Sequence, residues 1–120
     1  MGLDMYLYLE DKETKETHEF SYYRKFNALQ GYFVREDNIE NCGIVLLSLE
    51  RVHEIYSLLN KVRHQPEMAD EVLPVHHGPF FGTYDYDDFY YKQVHEAAKD
   101  LYHAQYIDFN KYNLFYSSDW

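Results

Sequence analysis

Cysteine is nearly absent from these 120 residues, since Cys42 is the single one. That excludes an internal disulfide framework and fits a reducing compartment. Long apolar runs are missing too, and no stretch approaches the roughly 18 apolar residues a bilayer span requires. Met1 to Leu9 carries Asp4 and has no extended apolar region, so no signal peptide is expected there and the cytoplasm is the expected location. Basic residues are scarce: Lys plus Arg number 11 against 21 Asp plus Glu, a formal net charge of -10. Such a balance opposes attraction to phosphate backbones and anionic lipid, which argues against direct nucleic-acid and membrane partners. Nucleotide-binding signatures are also lacking, as neither GxxxxGK[ST] nor GxGxxG occurs.

What is abundant is tyrosine. Fourteen Tyr and eight Phe stand in a chain that is 46% apolar. Their rings must enter a core or an interface, and many hydroxyls need partners. Exposed together, such rings suit a binding face or a subunit contact. The acids are scattered along the chain, with only Tyr84-Asp85-Tyr86-Asp87-Asp88 forming a dense group. Solvated surface charge accounts for most of them. Gathered on one face, they would instead let the chain imitate nucleic acid in a basic groove.

Hydrophobic spacing orders the chain as strand, helix, strand, helix, helix, strand. Leu3, Met5, Leu7 and Leu9 alternate with Asp4, Tyr6 and Tyr8, as in a half-buried strand. Asp11 to Thr17 reads as a surface loop that can extend this strand into a hairpin arm. From Phe20 to Val34, the positions Phe20, Tyr23, Phe26, Leu29 and Phe33 predict a first helix. Gly43 to Leu47 predicts a buried strand. Ser48 then caps a second helix whose Leu49, Val52, Ile55, Leu59 and Val62 recur at steps of three and four. Pro66 ends it at the latest, and Met68 to Leu73 has room for one further turn before Pro74. Val75 to Gly82 reads as an ordered loop presenting His76, His77, Phe80 and Phe81. A third helix is predicted from Asp85 to His103, with Asp85, Asp87 and Asp88 favouring its N-terminal dipole. Lys111 to Trp120 closes as a strand. The expected fold is therefore α+β, one domain over residues 1–120, with about three strands and three helices packed on one face of the sheet.

Several blocks along the chain carry a family signature. They are Met1-Gly-Leu-Asp-Met-Tyr-Leu7, Tyr23-Arg24-Lys25-Phe26-Asn27 with Tyr32-Phe33-Val34, Cys42-Gly43, Leu73-Pro74, Gly78 with Phe80-Phe81-Gly82, Tyr84 to Asp87, and Tyr116-Ser117-Ser118 with Trp120. The ordered set resembles a family of small, largely uncharacterised proteins of phages and prophages. The chain departs from that pattern at His76-His77, where the family is usually polar without histidine, and this weakens a metal role. The resemblance implies an accessory protein made inside a bacterial host cell. By analogy with other small phage proteins, anti-CRISPR proteins among them, it would counteract a host defence system. Its partner would be a defence protein, or a nucleotide-like small molecule that serves as the defence signal, with a homodimer as a candidate assembly.

Catalytic arrangements are weakly represented. Cys42 beside Gly43, with His76 or His77, matches no nucleophile signature, and a Cys before a buried strand is more often an apolar filler. His76, His77, Asp85 and His53 or Cys42 are the only metal-ligand candidates, and no pair has zinc-site spacing. Asp85 with Asp88 would serve as paired carboxylates, but the helix dipole already explains acids in a first turn. The expectation is a binding protein rather than an enzyme, without a cofactor; a metal-dependent hydrolase is the third alternative, behind the acidic mimic. Arg24 and Lys25 stand out in so acidic a chain, with Asn27 three residues beyond Arg24. Arg forks onto a carboxylate or phosphate, Asn reads an amide or base edge, and Tyr22, Tyr23 or Phe81 stacks on a planar ring. The structural counterpart is Arg24 tied to Asp4 or Asp85. Tyr23, Arg24, Asn27, Phe81 and Tyr84 are thus the expected ligand residues, and Asp85, Asp87, Asp88 and Trp120 the expected protein-interface residues.

Overall fold

The computed structural model describes residues 2–78 and 81–120, so Met1, Pro79 and the Phe80 of the ordered loop lie outside the described residues. A hairpin of β1 (Asp4–Asp11) and β2 (Thr17–Arg24) opens the chain. It is followed by α1 (Asn27–Asp37), β3 (Ile44–Leu47) and α2 (Leu49–His64). A 3-10 turn (Pro66–Met68) leads to the single turn α3 (Ala69–Val72), then come α4 (Asp88–Ala104) and β4 (Tyr112–Asp119). The sheet runs β2-β1-β4-β3 with every neighbouring pair antiparallel. The fold is α+β, as the periodicity predicts.

The strand count differs from expectation. Among the described residues four strands form, because residues 17–24, expected as loop and the start of a helix, pair with β1 from Asp4↔Arg24 to Glu10↔Thr17. The misleading signal was the spacing of three between Phe20 and Tyr23. In a regular strand those two residues would face opposite sides. Here the register shifts between Leu7 and Tyr8, which pair with Ser21 and Glu19 and leave Phe20 as the extra residue. This bulge lets both Phe20 and Tyr23 reach the core from one strand. Lys25 then adopts φ 58 and donates its N–H to the Leu3 carbonyl at 2.7 Å, which ends pairing and lets α1 start at Asn27.

The remaining elements follow their local chemistry. Ser48 Oγ accepts the Arg51 N–H at 3.2 Å and caps α2, whose Val52, Ile55, Leu59 and Val62 are buried. Asp87 Oδ1 accepts the Tyr90 N–H at 3.0 Å, so α4 begins at Asp88 rather than at Asp85. Leu3, Met5, Leu7, Tyr23, Leu47, Leu114 and Tyr116 are all buried. In register they form the inner row of the sheet, with Met5 opposite Tyr23, Leu7 opposite Tyr116 and Leu47 opposite Leu114. Phe33 of α1 stacks on Tyr116 with ring centroids 3.7 Å apart. Each such side chain, fully buried, stabilises the fold by about 1.5–3 kcal/mol. Because strand side chains alternate, this row leaves the opposite row of the same strands on the other face.

Candidate functional site

Asn27 sits at the first position of α1 and is buried. Its amide donates to the carbonyls of Phe81 and Thr83 at 3.1 and 2.8 Å, and its Oδ1 accepts the His76 N–H at 3.0 Å. Three of its hydrogen-bonding positions are thereby committed to the backbone of the loop. Phe81 is buried against Gly78, where a Cβ would lie 2.4 Å from the ring, and edge-on to Trp120 at 5.5 Å. Tyr23 is buried too, with its hydroxyl donating to Asp100 at 2.6 Å. Burial, and then that hydrogen bond, push its pKa well above the ordinary phenol range.

Arg24 lies on the other side of the sheet from Tyr23 and pairs with Asp4 at 2.7 Å, one of the two structural ties anticipated for it. Asp4 also accepts the Tyr22 hydroxyl, and this bond, together with the charge and hydrogen bond of the nearby guanidinium, holds its carboxyl below the usual range. The expected ligand residues therefore divide between core, loop latch and outer face, and they do not surround one pocket. A crevice beside Asn27, lined also by Lys25, Asp85 and Tyr90, has a volume of about 10 Å³, room for a single water.

Tyrosines from residues 84–91 staple the irregular backbone before them. Tyr84 donates to the Gly78 carbonyl at 2.9 Å, Tyr86 accepts the Val75 N–H at 3.2 Å, Tyr90 donates to Leu73 at 2.7 Å, and Tyr91 to Pro66 at 3.1 Å. These bonds stand in for secondary structure along a segment that has little, which explains part of the tyrosine content. His77 stacks on Tyr84 at 4.0 Å, and burial lowers the pKa of His76. Among the described residues no three His, Cys, Asp or Glu side chains come together as metal ligands. Of the expected interface acids, Asp87 serves as the α4 cap while Asp85 and Asp88 are exposed. Trp120 is half-buried and exchanges two hydrogen bonds with the Asn41 side chain.

The outer row of the sheet holds what single-residue reasoning missed. Tyr6 pairs with Tyr22 and Ser117, Tyr8 with Phe115, Phe115 with Leu46, and Ser117 with Ile44. Tyr6, Tyr8, Tyr22, Ile44, Leu46 and Phe115 thus form one continuous apolar field across all four strands. None of them packs against the core, and Ile44 and Leu46 are 61% and 57% exposed. The rings contact each other, Tyr6 with Tyr22 and Tyr8 with Phe115, both at 5.3 Å. At the β3 edge the field runs into a groove of about 300 Å³ between the Leu46 to Leu49 corner and Phe109. The signal was present in β1, where the side opposite the leucines reads Asp4, Tyr6, Tyr8 instead of wholly polar. No family model matches this chain, and comparison with curated proteins and with solved structures returns no significant match.

Proposed function

We propose that this chain is a non-enzymatic binding protein that covers a surface of another protein with the outer face of its sheet. Its service would be to a phage or prophage, as the sequence resemblance implies, and its target a defence component of the bacterial host. The observation that carries the binding reading is the uncovered aromatic and aliphatic field of Tyr6, Tyr8, Tyr22, Ile44, Leu46 and Phe115. Antiparallel sheets commonly leave one face to water, but that face is then polar. A contiguous apolar field on a monomer marks an interaction site. Tyrosine and phenylalanine on a rigid sheet lose little entropy on being fixed, which suits them to anchor a partner.

Between the two expected partners, the geometry supports a protein over a nucleotide-like signal. Arg24 pairs with Asp4, Asn27 latches the loop, and the crevice beside Asn27 is far below the roughly 300 Å³ at which small-molecule sites begin, while the groove of about 300 Å³ at the β3 edge is lined by none of the expected ligand residues. The decisive experiment is affinity capture from host lysate with wild-type, His77→Ala and Phe115→Asp proteins, each checked for retained fold. Capture of one host protein by the first two and its loss with Phe115→Asp, together with loss of anti-defence activity, supports the reading. Unchanged capture and activity with Phe115→Asp refutes it.

A further inference from the structure

Resting on that reading of the face, the charge around it specifies the partner. We infer that the sheet face receives a protein segment in which lysines or arginines alternate with apolar residues, with one apolar side chain seated in the groove beside Leu46 and Phe109. Asp4, Glu10, Glu19 and Asp119 share the outer row with the apolar field. Among the described residues the one basic side chain in register there, that of Arg24, already holds Asp4. Glu10, Glu19 and Asp119 have no ion-pair partner among the described residues, and they stand on three sides of the aromatic pairs. Their field is felt inside the patch: after its own burial, the carboxylates of Asp119, Asp4 and Glu19 raise the Tyr6 hydroxyl pKa.

Such a frame selects among occupants. An acidic or neutral segment would bring like charges, or unpaired carboxylates, to a drying surface. A second copy of the chain is disfavoured for the same reason, since it would carry its own net charge of -10 and set these carboxylates against their counterparts. A cationic segment satisfies the frame while its apolar residues cover the rings. The size is adequate: strands of eight, eight, eight and four residues give a face of about 450 Å² in projection. Surface relief and the adjoining groove bring this toward the roughly 800 Å² per partner of a specific interface. The groove supplies the anchor point, bounded by Leu46, Leu49 and Phe109, with Lys12 held to the Phe109 carbonyl at 2.6 Å on its rim.

The test uses three short synthetic peptides of equal length, with repeating Leu-Lys, Leu-Glu and Ser-Lys, each titrated into the whole protein and followed by amide NMR. The Leu-Lys peptide is expected to shift Tyr6, Tyr8, Leu46 and Phe115 saturably, with about tenfold weaker binding for each of the other two. Glu19→Gln with Asp119→Asn is expected to weaken the Leu-Lys peptide several-fold. Equal binding of Leu-Glu at those same residues overturns the cationic partner and leaves the face as a binding surface. Shifts that avoid those residues overturn both. Sedimentation showing a dimer of the protein alone that Phe115→Ser dissolves overturns the partner in favour of a second copy.

Discussion

The side-chain oxygen of Asn27 accepts the backbone N–H of His76 at 3.0 Å, while the Asn27 amide holds the carbonyls of Phe81 and Thr83. One buried residue at the start of α1 therefore fastens both sides of the loop between α3 and α4. Truncation to Ala removes three hydrogen bonds and leaves their backbone partners without this buried amide. Asn27→Ala is expected to destabilise the protein by about 2–4 kcal/mol, measured by urea unfolding. It should also open peptide bonds near His76 and Thr83 to limited proteolysis. Asn27→Asp keeps the acceptor and loses both donors, so it should not rescue. A stable Asn27→Ala protein with an uncut loop would refute the latch.

How far this was legible from sequence depends on the residue. Ser48 and the buried row of α2 were readable because cap and periodicity are local. The run of residues 17–24 was not, because the bulge at Phe20 gives a strand the three-residue spacing of a helix, and only pairing with β1 distinguishes them. Asn27 was singled out for its chemistry, yet the partners that occupy it lie 49 to 56 positions away. The outer face was half visible in Tyr6 and Tyr8, but its completion by Leu46 and Phe115 depends on strand order, which side-chain patterns do not encode.

The Asp4 carboxyl tests the hydrogen bond from Tyr22. Its pKa in the folded protein lies below the ordinary value of 3.8, chiefly through that hydroxyl and then through Arg24. The unfolded chain therefore takes up this proton first as acid is added. Its contribution to stability is present above about pH 4 and is lost as pH falls through the folded value. Tyr22→Phe should move the Asp4 titration upward, as followed by carboxyl-carbon NMR, without changing the fold. An unmoved titration would show that the hydroxyl does not act on Asp4.

Tyr116 and Gln30 form a buried pair, the phenol donating to Oε1, while Gln30 Nε2 has no partner among the described residues. Tyr116→Phe removes the donor, leaves Gln30 with an unmatched oxygen, and is expected to cost about 1–2 kcal/mol. Replacing both polar groups, in Gln30→Leu with Tyr116→Phe, should recover most of that loss, because no buried polar atom of the pair then remains. The stack of Phe33 on the ring persists in both. A double-mutant cycle in urea reads the coupling, and strictly additive losses would rule out the pairing as the source.

Alkaline pH probes three buried phenols together. Burial is the first cause that raises the pKa of Tyr23, Tyr90 and Tyr116 above the ordinary value of 10.0, with Asp100 adding to the effect at Tyr23. In the unfolded chain these groups ionise near pH 10, while the folded protein keeps their protons. The contribution of these three groups to stability should be level below that pH and fall above it, since the unfolded state then binds fewer protons. These three groups alone contribute about 4 kcal/mol per pH unit to the slope well above pH 10. Urea midpoints across that range, with phenolate absorbance recorded on the same samples, should show ionisation of these tyrosines appearing with unfolding. Tyr90→Phe also loses the bond to the Leu73 carbonyl, so its stability is lower at every pH. Its slope, however, should fall by about 1.4 kcal/mol per pH unit, and an unchanged slope would place that phenol's ionisation equally in both states.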